Sequence, residues 1–196
     1  MGEIKSAREI AIEKVAGLGE ATEEERLRWK YVPEGSRLAA RYIAEDCNLV
    51  LELGKYDEKM KEYIIEGLSD ILIRNISLPD SDLVKKRNRR AMDGLKAVKS
   101  DRVGLENVYS KIRRIFDHYQ DMGEQQRNQA YLSLKTEFEA QVRQALQQQL
   151  GSLVGIKIDV EKQPQFQTEW RRRLAQLDSE YLKLLDELRQ ELAAIS

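Results

Sequence analysis

Leu105-Glu106-Asn107-Val108-Tyr109-Ser110-Lys111-Ile112-Arg113-Arg114-Ile115-Phe116-Asp117-His118-Tyr119-Gln120-Asp121-Met122 is the stretch whose reading decides the fold. Leu105, Val108, Ile112, Ile115, Tyr119 and Met122 follow at alternating spacings of three and four. A repeat near 3.5 residues keeps one narrow stripe of a helix facing a partner, the seam of a coiled coil. The rhythm returns in Trp170, Leu174, Leu177, Tyr181, Leu184, Leu188 and Ile195, with Glu191 as the one gap. Two long helices with apolar seams predict an all-α fold.

Working outward, the helical pattern runs from Asp101 to Leu150, with Gly123 its interior weak point. At about 1.5 Å per residue this is a rod of roughly 75 Å. Between Tyr131 and Gln149 the apolar spacing lengthens toward an eleven-residue repeat, which straightens a supercoil. Gly151 to Gln163 reads as the turn, and a last helix covers Phe166 to Ile195. The chain from 101 to 196 is therefore expected to be a long antiparallel hairpin. With a turn centred near 155–160, the chain end falls beside Gly123, leaving the 105–122 seam for other helices or a second copy. Phe166 and Trp170 are expected to anchor the last helix near Val142 to Leu150. Gly155 to Val160 alternates apolar and charged residues, a short strand pattern that needs residues 74–79 or the same strand of a second copy as its partner edge, and that more often is an extended connector with apolar anchors.

The first hundred residues read as a compact helical domain, 1–100. A helix is expected over Glu3 to Ala16, stopped by Gly17 and Gly19. Thr22 and Glu25 form a capping box for a short helix through Trp29. Pro33-Glu34-Gly35-Ser36 then breaks the chain, with Ser36 as N-cap of an apolar helix from Arg37 to Leu53. Cys47 lies inside that helix as a small buried hydrophobe. Helices follow over Asp57 to Asn75, with Met60, Ile64, Leu68, Ile71 and Leu72 inward, and after a turn at Leu78 to Asp82, with Leu83, Val84, Ala91, Leu95 and Val98 on one side.

Composition narrows the function classes. Of 196 residues, 34% are charged and 7% aromatic, with only 3 prolines, which suits helices with narrow apolar stripes. The 33 basic and 34 acidic residues nearly cancel, so any electrostatic partner must read a local patch. One cysteine rules out an internal disulfide framework. No apolar run approaches the ~20 residues that span a bilayer, so no membrane association and a cytoplasmic location are expected. Met1-Gly2-Glu3-Ile4-Lys5-Ser6 fits the loose N-myristoylation pattern, but a plain initiator sequence accounts for it more simply.

Catalytic signatures are missing. The chain has no G-x-G-x-x-G, and Gly151 to Lys157 lacks Walker spacing. His118 is the only histidine; with Asp117 and Asp121 it makes an incomplete metal shell beside Tyr119. No enzyme activity and no cofactor are expected. One charge anomaly stands out. From Leu83 to Arg114 eleven basic residues face only Asp93, Asp101 and Glu106. Lys85, Lys86, Arg89, Arg90 and Lys96 fall opposite the apolar stripe of their helix as one basic face. Such a face could track phosphates, though no aromatic is interleaved for base stacking. It could equally meet the acidic stretch Glu20 to Glu25. Arg171-Arg172-Arg173 reads as rim charge on the coiled coil.

Met1-Gly2-Glu3-Ile4-Lys5-Ser6-Ala7-Arg8-Glu9-Ile10-Ala11-Ile12-Glu13-Lys14 resembles the start of a family of uncharacterised bacterial helical proteins. The resemblance reaches toward Arg41. It implies a bacterial, cytoplasmic protein and carries over no activity and no site residue. The leading expectation is a non-enzymatic scaffold or adaptor for a protein partner, acting as a homodimer through Leu105 to Met122. A nucleic-acid-associated protein using the basic face is the alternative, and a stalk or regulatory subunit of a larger complex a weaker one.

Overall fold

The computed structural model describes residues 21–45, 47–150 and 159–196. Every regular element among them is a helix, and no strand occurs there. The elements are α1 (Glu23–Ala44), α2 (Leu49–Leu53), α3 (Glu58–Arg74), α4 (Asp82–Val98), α5 (Arg102–Leu150), a 3-10 turn (Val160–Lys162) and α6 (Pro164–Ala194). The helix expected over Glu3 to Ala16 and most of the strand expected at 155–160 lie outside the described residues. Val160, its last position, begins the 3-10 turn. The chain divides into two compact units between Leu72 and Ile73. This differs from the boundary expected at 100, because α4 packs on α5: the buried Tyr109 hydroxyl donates to the Met92 carbonyl at 2.8 Å.

In the first unit the capping box forms. The Glu25 amide donates to Thr22 Oγ1 at 3.2 Å, and the Thr22 amide to Glu25 Oε2 at 2.8 Å. The helix it starts does not stop at Trp29. α1 continues through Pro33 to Ala44, correcting the expected break at Pro33–Ser36. Proline inside a helix costs a hydrogen bond, so packing must offset it, and two glycines supply that packing. A Cβ on Gly35 would overlap the Ile64 carbonyl, and one on Gly67 would overlap the Val32 carbonyl. The α1 and α3 backbones thus meet directly at two points. Ser36 caps nothing; its hydroxyl donates to the Val32 carbonyl at 3.2 Å and the Gly67 carbonyl at 3.4 Å.

The expected helix from Arg37 to Leu53 is two helices. Asn48 ends the run: its Oδ1 accepts from the Val50 amide at 3.0 Å and the Leu51 amide at 3.3 Å, capping α2. A short polar side chain that bonds its own backbone favours a cap over a helix interior. Cys47 is therefore half-buried in the connection rather than packed in a helix. On α3, Ile64, Leu68 and Leu72 are buried as expected, while Met60 and Ile71 are half-buried.

In the second unit the connector before α4 is held by side chains rather than by strand pairing. Buried Asn88 accepts from the Ser77 amide at 2.9 Å and donates to the Ser77 carbonyl at 2.6 Å. Arg189 donates to the Ile76 carbonyl through Nε at 2.9 Å and Nη2 at 2.6 Å. Residues 74–79 therefore offer no free strand edge at Ser77. Asn88 also takes the interior place on α4, with Ala91, Met92 and Leu95, whereas Leu83 points outward at 67% exposure.

Helices α5 and α6 lie side by side and antiparallel. Going along α5, Lys111 meets Glu191, Tyr119 meets Tyr181, Tyr131 meets Trp170 and Phe138 meets Phe166. These pairs centre close to residue 151, not on 155–160. The chain end consequently reaches the start of α5. The Ser196 carbonyl accepts from the Ser100 amide at 3.1 Å and the Asp101 amide at 3.2 Å, and Lys99 Nζ donates to the Ile195 carbonyl. The slip has a physical cause. Val160 already packs with Leu134 and Phe166, and Glu161 reaches Lys135.

Candidate interaction groove

The slip decides the fate of the expected seam. Leu105, Val108, Ile112 and Tyr119 are buried within the chain, Ile115 is half-buried, and only Met122 is substantially exposed, at 45%. The six residues do not form a free surface. The four buried ones share the second unit's interior with Leu185, Leu188 and Leu192 of α6. Leu184, expected in the α6 seam, is 47% exposed. Its place is taken by Leu185, and the stripe Leu185, Leu188, Leu192, Ile195 needs no gap at Glu191.

The seam is also interrupted by a polar layer. The Arg127 guanidinium lies 4.1 Å from the Tyr119 ring centre, donates to the Tyr119 carbonyl at 3.2 Å, and stands 3.7 Å from Asp178 Oδ1. That oxygen is buried and accepts no hydrogen bond. Burial pushes the Asp178 carboxyl above its ordinary range, against the lowering effect of Arg127. His118 Nδ1 sits 2.8 Å from the Tyr181 hydroxyl, so the only histidine is engaged with a tyrosine. Among the described residues no three His, Cys, Asp or Glu side chains are grouped to hold a metal ion, and no helix is long and apolar enough to cross a membrane.

The open feature lies on the other side of α5. Tyr109, Arg113, Phe116 and Gln120 follow at four, three and four residues, as do Lys85, Arg89, Met92 and Lys96 on α4. Each set is one stripe of its helix, and the two stripes face one another across a cavity of about 300 Å³. Its apolar surfaces come from Pro79, Met92, Tyr109 and Phe116, all buried; Lys85, Arg89, Lys96 and Arg113 supply four cations, and Asp93 and Asp117 two carboxylates.

The basic face is thus split. Lys85, Arg89 and Lys96 are brought together with Arg113, while Lys86 and Arg90 do not line the groove. Lys96 reaches Glu106 at 2.9 Å, and Arg113 pairs with the same carboxylate. Held by Lys96 first and Arg113 second, the Glu106 carboxyl is kept below its ordinary range. The Lys96 ammonium also lies 5.6 Å from the Tyr109 ring centre, within cation–π reach. Lys85 has a loose contact with Asp82 at 3.5 Å. Arg89 makes no ion pair or hydrogen bond among the described residues. Arg113, Tyr109 and Phe116 are the members that reading for one seam misses. Their signal is the second four-three-four stripe, offset from the first on the same helix.

A family model described as a family of unknown function (DUF6657) matches residues 51–194. The chain belongs to this family. That agrees with the expectation of a family with no activity assigned, although the opening segment that carried the resemblance lies outside the matched and the described residues. The match includes both walls of the groove. Neither a curated protein nor a solved structure matches the chain.

Proposed function

We propose that this chain is a non-catalytic adaptor that binds a protein partner through the α4–α5 groove, with the α5–α6 pair acting as a coiled-coil hairpin that supports it. The observation that carries the reading is a ring of four cations around a buried apolar lining of Met92, Tyr109 and Phe116. Apolar area supplies affinity, and a charged rim supplies register and partner choice. Homodimerisation, expected from the 105–122 seam, needs another surface, because most of that seam is buried within one chain.

The nucleic-acid alternative rests on the same cations. It is weakened by Asp93 and Asp117, which would face a phosphate backbone in the groove. The burial of Tyr109 and Phe116 also leaves no open ring there for base stacking.

The test is capture of the tagged chain from its host at moderate salt, with Lys85→Glu/Arg89→Glu as the control. A protein recovered in stoichiometric amount with the wild type and lost with the variant supports the adaptor reading. Nucleic acid released by high salt, with no such protein, overturns it in favour of phosphate recognition.

A further inference from the structure

We infer that the α4–α5 groove recognises an acidic segment of a partner chain that carries an apolar anchor, and that Glu106 is an internal competitor for two of the cations that segment needs. The inference rests on the adaptor reading and names the chemistry of its partner. Three observations lead to it.

The first is charge. The groove's lining carries Lys85, Arg89, Lys96 and Arg113 against Asp93 and Asp117, so its balance is positive in a chain whose total is -1. A partner of opposite sign is favoured here on charge grounds.

The second is the lining. Met92, Tyr109 and Phe116 are all at most 9% exposed, and the Tyr109 hydroxyl is already used by the Met92 carbonyl. Tyr109 is wholly covered, so what stays open to a visitor is the narrow apolar edge that Met92 and Phe116 keep, which suits an aliphatic or aromatic side chain rather than another polar group.

The third is Glu106. Lys96 from α4 and Arg113 from α5 converge on its carboxylate. This pair therefore binds a carboxylate in the resting chain, and the ligand it holds is its own. All three side chains remain 40–50% exposed, so the contact is open to exchange. An incoming carboxylate can displace Glu106 without leaving a buried charge behind. Arg89, which has no partner among the described residues, gives the first point of attachment, and Lys85 beside it holds its own carboxylate only loosely.

The competition gives two exposed substitutions with opposite signs. The probe is a labelled synthetic peptide of alternating glutamate and phenylalanine or leucine, followed by fluorescence anisotropy on the full chain. Its controls are the same peptide with glutamine for glutamate, and a short DNA duplex. Arg89→Glu is expected to weaken acidic-peptide binding about tenfold or more, and Glu106→Gln to tighten it severalfold. The glutamine peptide is expected not to bind. Circular dichroism checks that both variants keep their helices. Equal binding of the glutamine peptide, indifference to Arg89→Glu, or tighter binding of the duplex overturns the inference. Unchanged or weaker binding by Glu106→Gln overturns the competition. A partner captured from the host, with no acidic-peptide binding, removes the groove chemistry and leaves the adaptor reading standing. Peptide binding with no captured partner does the reverse.

Discussion

The two halves of α5 solve the same packing problem differently. From Leu105 to Tyr119 the helix is buried on more than one face: Leu105, Val108, Tyr109, Ile112, Phe116 and Tyr119 are all at most 9% exposed. Beyond Gly123 only Leu134 is fully buried among the described side chains of α5, and the half-buried Tyr131, Phe138 and Val142 gather round it with Val160, Phe166 and Trp170. Leu132, two residues before the centre of that cluster, is 63% exposed. The first half is core, while the second is a rod held at one aromatic knot. A helix with a wide apolar arc takes neighbours on two sides, whereas a narrow stripe can take only one.

The largest effect should come from placing a charge in the first half. Ile112 is fully buried, and Ile112→Asp strands a carboxylate among apolar neighbours at a cost of about 4 kcal/mol or more. Denaturant unfolding should show the midpoint falling with loss of the second unit's helices. A folded variant that merely changes its solution mass would mean that Ile112 faces another chain, and the comparison between the halves would fail.

Phe166→Ala tests the second half. Phe166 is fully buried and meets Tyr131 and Phe138 edge-on, with centroids 5.6 and 5.4 Å away. Its loss should cost about 3 kcal/mol. The damage should also stay local. Hydrogen exchange is expected to accelerate around Tyr131 to Phe138 while amides near Ile112 keep their protection. Uniform acceleration would show that the two halves unfold as one.

Tyr109→Phe is the milder change, and it separates burial from hydrogen bonding. Removing the hydroxyl forfeits its bond to the Met92 carbonyl, about 1 kcal/mol near neutral pH. The pH dependence has a definite sign. Burial pushes the Tyr109 phenol well above its ordinary value of 10.0. The unfolded chain therefore ionises there first, and the stability from this residue, full below pH 10, declines as the pH rises further. Phenylalanine cannot ionise, so the gap between wild type and variant should narrow above pH 10 in unfolding titrations. A gap that widens instead would refute the burial argument.

Much of the first half of α5 can be read from its residues, because Leu105, Val108, Ile112 and Tyr119 repeat at a spacing only a buried helix face explains. The same rhythm conceals the groove. Tyr109 and Phe116 stand seven apart on a second stripe, and a search for one narrow seam assigns them to the rim. Other features depend on partners that no local pattern announces. Pro33 looks like a stop until Gly35 and Gly67 are seen to bring two backbones together. Arg113 looks like one basic residue among eleven until Glu106 ties it to Lys96 across a helix pair. Asn88 looks polar and exposed until Ser77 supplies both its hydrogen bonds. Long-range polar pairing is set by how the helices meet, and that is where reading by period fails.

The smallest effect tests register. A strict heptad carries Tyr181 to Leu184 and leaves Glu191 in the seam; a helix of 3.6 residues per turn drifts against that repeat by about 20° per heptad. The step from Tyr181 to Leu185 absorbs the drift and brings Leu188, Leu192 and Ile195 into line. Leu184 is consequently 47% exposed and Leu185 fully buried. Leu184→Gln should therefore change stability by no more than about 0.5 kcal/mol, as surface substitutions do. Were Leu184 the seam residue, the same change would leave an amide in the core and cost about 2 kcal/mol or more. A denaturant midpoint for this one variant distinguishes the two faces that α6 could turn inward.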